Sequence, residues 1–108
     1  MKLFNTKILG TGSYLPEKVL TNHDIAKRVD TNHQWIVERT GIHERRIADP
    51  ANGETPSGMA VRAATRALEA ANLTPNDIDM ILVSATLPDH FFPNTACMIQ
   101  QKLGISNM

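Results

Sequence analysis

A single cysteine, Cys97, in 108 residues leaves no internal disulfide to staple the fold. Charge of neither sign dominates: Lys plus Arg and Asp plus Glu number 11 each, so no global field draws in nucleic acid or an anionic membrane, and any anion site has to be local. No apolar run is long enough to span a bilayer. The stretch Met1 to Gly12 is too short in apolar residues for a secretory signal and is broken by Lys7. Together these deficits point to a soluble cytoplasmic protein. Metal ligands are also sparse. His23, His33, His43 and His90 fall in different segments, without the i, i+4 spacing or clustered carboxylate of a metal site, so no metal and no cofactor are expected. Gly10-Thr11-Gly12 lacks the third glycine of a dinucleotide loop, since Leu15 stands there and Pro16 follows. These glycines read instead as a place where another backbone comes close.

Length allows one modest domain. Lys7 to Gly12 reads as a short buried strand, and Met80 to Ala85, continuously apolar with branched residues, as a strand covered on both faces and hence paired in parallel with it. Two helix starts have nearly the same wording, Thr21-Asn22-His23-Asp24 and Thr31-Asn32-His33-Gln34. The second is expected to be a capping box between Thr31 and Gln34, the first a cap with a favourable acidic third residue. Gly41 is placed to end the second helix, and His43 to Ala48 to run extended. Asp49 to Gly53 is a turn cluster. From Ser57 to Ala71 the positions Ala60, Ala64, Ala67, Leu68 and Ala71 form one stripe, with Thr55 as cap and Pro56 in the first turn; so many alanines imply close packing. After the turn Thr74 to Asp77 and the apolar run, Pro93 is expected to open a last helix that Gly104 stops. Strands separated by helices give an α/β architecture.

The segment Asp30 to Ile42 holds the only tryptophan, Trp35, with Arg39 four residues on and Thr31 one turn before, so the three share a face. An indole beside a guanidinium suits a purine ring and its phosphates: the ring stacks while the planar fork gives paired, charged hydrogen bonds. The alternative is a core Trp35 and an Arg39 paired with a surface carboxylate. The basic group Arg39, Arg45, Arg46 with His43 could attract phosphate or an acidic carrier surface; Glu38 and Glu44 stand among them, and Arg45 and Arg46 are read as structural. Cys97 lies within a helix turn without a sequence-local base, so it is read as packed and slow to alkylate. The adjacent rings of Phe91 and Phe92 either anchor a pocket or interface or cap the end of a sheet.

Four segments taken together, Thr6 to Pro16, Asp30 to Ile42, Thr40 to Arg46 and Phe92 to Cys97, resemble in order and spacing the N-terminal part of the β-ketoacyl-ACP synthase III family. The resemblance runs from Thr6 to Gly104. It implies that residues 1–108 form the N-terminal part of a thiolase-like domain, an incomplete sheet with flanking helices. Members are much longer, and their catalytic cysteine, histidine and asparagine lie beyond this stretch, so no catalytic residue is assigned here. The resemblance further implies an acyltransferase that loads an acyl group from CoA onto its cysteine and condenses it with malonyl-ACP, starting fatty acid synthesis. Thr31, Trp35 and Arg39 would hold the CoA nucleotide. Phe92 would cross a homodimer interface to line the partner's acyl pocket, with Thr86 near that pocket. These residues alone are expected to be inactive. The alternatives are a noncatalytic module that binds CoA weakly or self-associates, and a related synthase with another acyl starter.

Overall fold

Helix caps written into the sequence decide where most elements begin and end. The computed structural model describes residues 5–107, which divide into one unit of residues 15–54 and another of residues 5–14 with 55–107.

In the first unit, β1 (Val19–Thr21) leads directly into α1 (Asn22–Ala26), and α2 (His33–Thr40) precedes β2 (Glu44–Arg46). β1 and β2 pair antiparallel, with Val19 opposite Arg46 and Thr21 opposite Glu44. The capping box belongs to the first helix start and not the second. Thr21 and Asp24 bond reciprocally, with the Thr21 hydroxyl donating to Asp24 Oδ2 at 2.7 Å and accepting from the Asp24 N–H at 3.2 Å. The Thr21 hydroxyl first, then Lys27, hold the Asp24 carboxyl far below the usual carboxylate range. At the second start Asn32, a stronger cap than threonine, takes the N-cap place and accepts from the Trp35 N–H at 2.8 Å. The expected Thr31–Gln34 box is thereby displaced, and Gln34 donates to Glu38 instead, 2.7 Å away. Gly41 ends α2 at φ 70°, the left-handed conformation its missing Cβ permits. Ile36 is the buried apolar side chain of this helix.

In the second unit, α3 (Pro56–Ala71) starts where expected: Thr55 caps it, accepting from the Gly58 N–H at 3.2 Å, and Pro56 stands in the first turn. α4 (Thr95–Leu103) begins two residues after Pro93, because Asn94 supplies the cap by accepting from the Cys97 N–H at 2.9 Å. Gly104 stops it as expected. α3 and α4 pack together, and Ile99 and Ile105 are buried there.

The two runs expected to be parallel strands are not strands. Among the described residues β1 and β2 make the sheet, and no ladder joins Lys7–Gly12 to Met80–Ala85. Ile8 is 82% and Leu82 88% exposed, so these runs are not covered on both faces. A run of branched apolar residues specifies extended backbone, but a sheet also requires a partner to accept and donate along the ladder. The Gly10–Gly12 segment lies instead on α3. A Cβ at Gly10 would stand 2.5 Å from the Ala67 carbonyl oxygen, and one at Gly12 would collide with the Ala63 oxygen and the Ala67 nitrogen. The close backbone approach read from the glycines is thus real, and the approaching element is the alanine-rich helix.

Ser57, wholly buried in the first turn of α3, fixes the chain that follows Met80–Ala85. Its N–H and hydroxyl both donate to the Asp89 carboxylate at 2.7 Å, and Lys102 of α4 donates to the same hydroxyl oxygen at 2.6 Å. Partial burial pushes the Asp89 carboxyl up. The hydroxyls of Ser57 and Thr55, the Ser57 N–H and the Lys102 charge outweigh it and bring the value down from 3.8 to about 2. Because the folded value lies below the unfolded one, the bonded carboxylate stabilises the fold above about pH 4 and that contribution is lost as pH falls towards 2.

Asp89→Ala should therefore lower stability at neutral pH by about 2 kcal/mol, the range for a hydrogen-bonded charge. Its acid limb should be shallower than that of the wild type, as read by urea unfolding across pH 7 to 2. Gly12→Ala should be destabilised by about 1–3 kcal/mol in the same assay, since the added methyl meets helix backbone that cannot rotate away.

Candidate functional site

Trp35 is the third residue of α2, and it is 54% exposed here, not packed among the described residues. Arg39 follows one turn later on the same face, its guanidinium carbon 5.9 Å from the centre of the indole. Among the described residues no carboxylate forms an ion pair with it, so the alternative of a surface salt bridge does not hold. Thr31 completes the group from the turn before α2. With Asp30, Asn32 and Trp35 it lines a cavity of about 220 Å³. Its hydroxyl oxygen is buried and lacks a partner among the described residues. An unmatched buried hydroxyl costs about 1–3 kcal/mol, and such groups in native folds commonly meet a ligand or water. The fold thus brings together an open aromatic face, a free planar cation and an orphaned hydroxyl. That set can stack a flat heterocycle, bond one of its polar atoms and receive an anionic group attached to it.

The other arginines of the basic group are spent on structure. Arg45 donates to Asn22 Oδ1 at 2.8 Å, and Arg46 to the Pro16 carbonyl at 3.0 Å.

In the second unit Thr86 is exposed, and Phe91 and Phe92 are 88% and 91% exposed. They do not cap a sheet. A cavity of about 380 Å³ opens beside them, lined by Val83, Ala85, His90, Phe91 and Thr95 among others, but neither Thr86 nor Phe92 lines it. Bare phenylalanines on a loop form the kind of apolar surface that a partner covers.

Cys97 is exposed, against the expectation that it is packed. The buried side of α4 runs through Thr95 and Ile99, four residues apart. A residue midway between them points roughly to the opposite side of the cylinder.

A grouping that the sequence did not disclose lies at the start of α2. The rings of His23 and His33 stack 4.9 Å apart at 3°, and His43 stands 5.5 Å from His33 at 56°. Their regular ten-residue spacing, with His23 and His33 each ending a Thr-Asn-His sequence, was a visible signal. The closing of β1 on β2 converts that spacing into proximity.

No family model matches the chain. A β-ketoacyl-[acyl-carrier-protein] synthase III of Thiobacillus denitrificans is 60% identical over 102 residues, which are 94% of this chain and 31% of that protein. Among solved structures, 3-oxoacyl-[acyl-carrier-protein] synthase III from Aquifex aeolicus VF5 matches with a TM-score of 0.90 and 49% identity, over 96% of this chain and 33% of that one. The chain is thus closely similar to β-ketoacyl-[acyl-carrier-protein] synthase III proteins. It matches an N-terminal portion of such proteins and spans about a third of their length. The priming β-ketosynthase of the R1128 polyketide pathway is also similar, at a TM-score of 0.87 and 39% identity over 94% of this chain and 30% of that one. The expected fold class therefore stands as a partial thiolase-like α/β fold.

Exposure changes what Cys97 should do. Iodoacetamide should label it in the folded protein about as readily as in the unfolded chain, whereas incubation with acetyl-CoA should leave it unmodified because it has no sequence-local base. Intact-mass spectra after each treatment check both outcomes.

Proposed function

We propose that this chain supplies the nucleotide-holding part of a β-ketoacyl-ACP synthase III that condenses acyl-CoA with malonyl-ACP to begin fatty acid synthesis. The observation that carries the reading is the orphaned Thr31 hydroxyl beside the open face of Trp35, with Arg39 against the same ring. The adenine of CoA stacks on the indole, the Thr31 oxygen bonds a polar edge of the base, and Arg39 receives a phosphate. These contacts are made to a part of the substrate remote from the thioester. They hold the acyl group in register while the family's cysteine takes it from the CoA sulfur, as binding energy from nonreacting parts commonly does.

On this reading the synthase is an acyltransferase that uses acyl-CoA as substrate and needs no cofactor. By family resemblance its cysteine, histidine and asparagine are not among these residues, which alone condense nothing. A transition state without its nucleophile and oxyanion donors gains only residual catalysis from binding. Thr86 and the exposed Phe92 belong to the acyl pocket and to a homodimer interface, where Phe92 inserts into the partner. The protein works in the cytoplasm. Among the described residues no helix is long and apolar enough to cross a membrane. The breadth of bare apolar surface, with Leu82, Phe91 and Phe92 all largely exposed, favours as a second reading a noncatalytic module that self-associates.

Trp35→Ala should weaken CoA binding by about 1–3 kcal/mol, the contribution of stacking one base on an aromatic ring. Arg39→Ala should weaken it too and reduce its dependence on salt. Calorimetric titration with CoA at two ionic strengths measures both. Unchanged affinity in both folded variants would overturn the nucleotide reading.

A further inference from the structure

Asn22 is wholly buried, and its neighbours set the orientation of its amide. The Arg45 guanidinium can only donate and lies 2.8 Å from Asn22 Oδ1, so the oxygen faces β2. The amide nitrogen then carries its two hydrogens the other way, one to the Ile42 carbonyl at 2.7 Å and one towards His33 Nδ1 at 3.4 Å. An N–H aimed at Nδ1 requires that nitrogen to accept, which assigns His33 the tautomer with its hydrogen on Nε2. A proton added to His33 would go to Nδ1 and set donor against donor. Asn22 has no escape by turning its amide over, because that would aim its hydrogens at Arg45 and leave the Ile42 carbonyl without its donor.

The groups around His33 come from each element packed against it. From α1 the His23 ring stacks on it, and from the segment before β2 the His43 ring stands against it. From β2 the Arg45 charge reaches it through Asn22. On its own helix His33 occupies the first turn, where the backbone presents the positive end of its dipole. The carboxylates of these elements are engaged elsewhere or turned outward: Asp24 takes hydrogen bonds from Thr21 and Lys27, Glu38 takes one from Gln34, and Glu44 is exposed. Among the described residues no three histidine, cysteine or acidic side chains are arranged to hold a metal.

We propose that Asn22, His33 and Arg45 form a proton-sensitive latch on the first turn of α2, closed while His33 is neutral and opened when it takes a proton. His33 directly follows the capping residue Asn32 and stands two residues before Trp35. Opening the latch loosens the turn that presents Trp35 and the Thr31 hydroxyl. His33 is a positioning residue here and touches no ligand. The latch stands on these hydrogen bonds alone, and its consequence for CoA rests on the nucleotide reading above. When His33 takes its proton, nucleotide binding weakens.

Nitrogen-15 NMR of the full chain tests the latch without any ligand. At about pH 7.5 His33 should carry its hydrogen on Nε2, and the signals of the Asn22 side chain and the Trp35 amide should move together with its titration. In His33→Asn, whose Oδ1 offers an acceptor in place of Nδ1 and binds no proton, they should stay put. Asn22→Asp is a second, independent variant. It sets an acceptor opposite His33, which should then take its proton at a higher pH than in the wild type. A neutral His33 with its hydrogen on Nδ1, or Asn22 and Trp35 signals indifferent to the titration, would overturn the latch. CoA titration at about pH 7.5 and 5.5 tests the consequence. The wild type should lose about fivefold more affinity than His33→Asn, the worth of roughly one hydrogen bond. Comparing the two proteins cancels the titration of the ligand's own phosphate. Equal losses would overturn the coupling to the nucleotide. Absence of CoA binding in both proteins at both pH values would overturn the nucleotide reading and the coupling with it, while the NMR result still decides the latch.

Discussion

A polar side chain taken fully out of water must find its partners inside the protein, and this requirement organises both units. Asn22 and Ser57 are wholly buried, while Ile36, Ile99, Ile105 and Pro16 are the buried apolar side chains among the described residues. Each of the two polar residues sits in the first turn of a helix, and each reaches elements far along the chain. Asn22 ties α1 to the Ile42 carbonyl and to β2, and Ser57 ties α3 to Asp89 and to α4. Apolar burial of this extent gives little directional information, since it favours any compact arrangement. The hydrogen bonds decide which arrangement forms, because a displaced partner leaves a buried donor or acceptor unmet at a cost of about 1–3 kcal/mol.

What could be read in advance follows from the range of the interactions involved. Gly41, Thr55, Pro56 and Gly104 do their work within a turn of their own position, and all four act as their types and neighbours suggested. The face shared by Thr31, Trp35 and Arg39 was likewise legible, because spacing on a helix is a local property. The openness of the indole and the lack of a partner for the Thr31 hydroxyl were not, since both depend on what the rest of the unit fails to place there. The close approach at Gly10 and Gly12 was visible as a pair of small residues, but the identity of the approaching element was not.

The misreadings share a cause. Branched apolar residues at Met80–Ala85 specify an extended chain, yet pairing is a relation between two segments and cannot be inferred from one of them. Threonine and asparagine both cap helices well, so two adjacent candidates at residues 31 and 32 left the first turn ambiguous by one position. That single step removed the Thr31–Gln34 box from α2, while Thr21 and Asp24 form one independently at the start of α1. The exposure of Cys97 turned on where the buried side of α4 falls, which Thr95 and Ile99 define jointly with α3. The histidines appeared dispersed because they are dispersed in the chain, and the β1–β2 pairing gathers them.

The contact between the Gly10–Gly12 segment and α3 carries a consequence for how such a chain can evolve. The helix meets the segment through Ala63, Ala67 and Ala71, which recur every fourth residue, while the glycines recur every second residue along the extended strand of chain. The two periods match so closely that backbone lies on backbone, and neither side holds volume that a compensating trim could release. Enlargement at positions 10 or 12 has no single-step remedy in the alanines, since their main-chain atoms and not their methyls make most of the contact. Substitution is thus channelled away from this seam. Change is better accommodated on the outward faces of the same helix, where Thr65 and Glu69 are exposed.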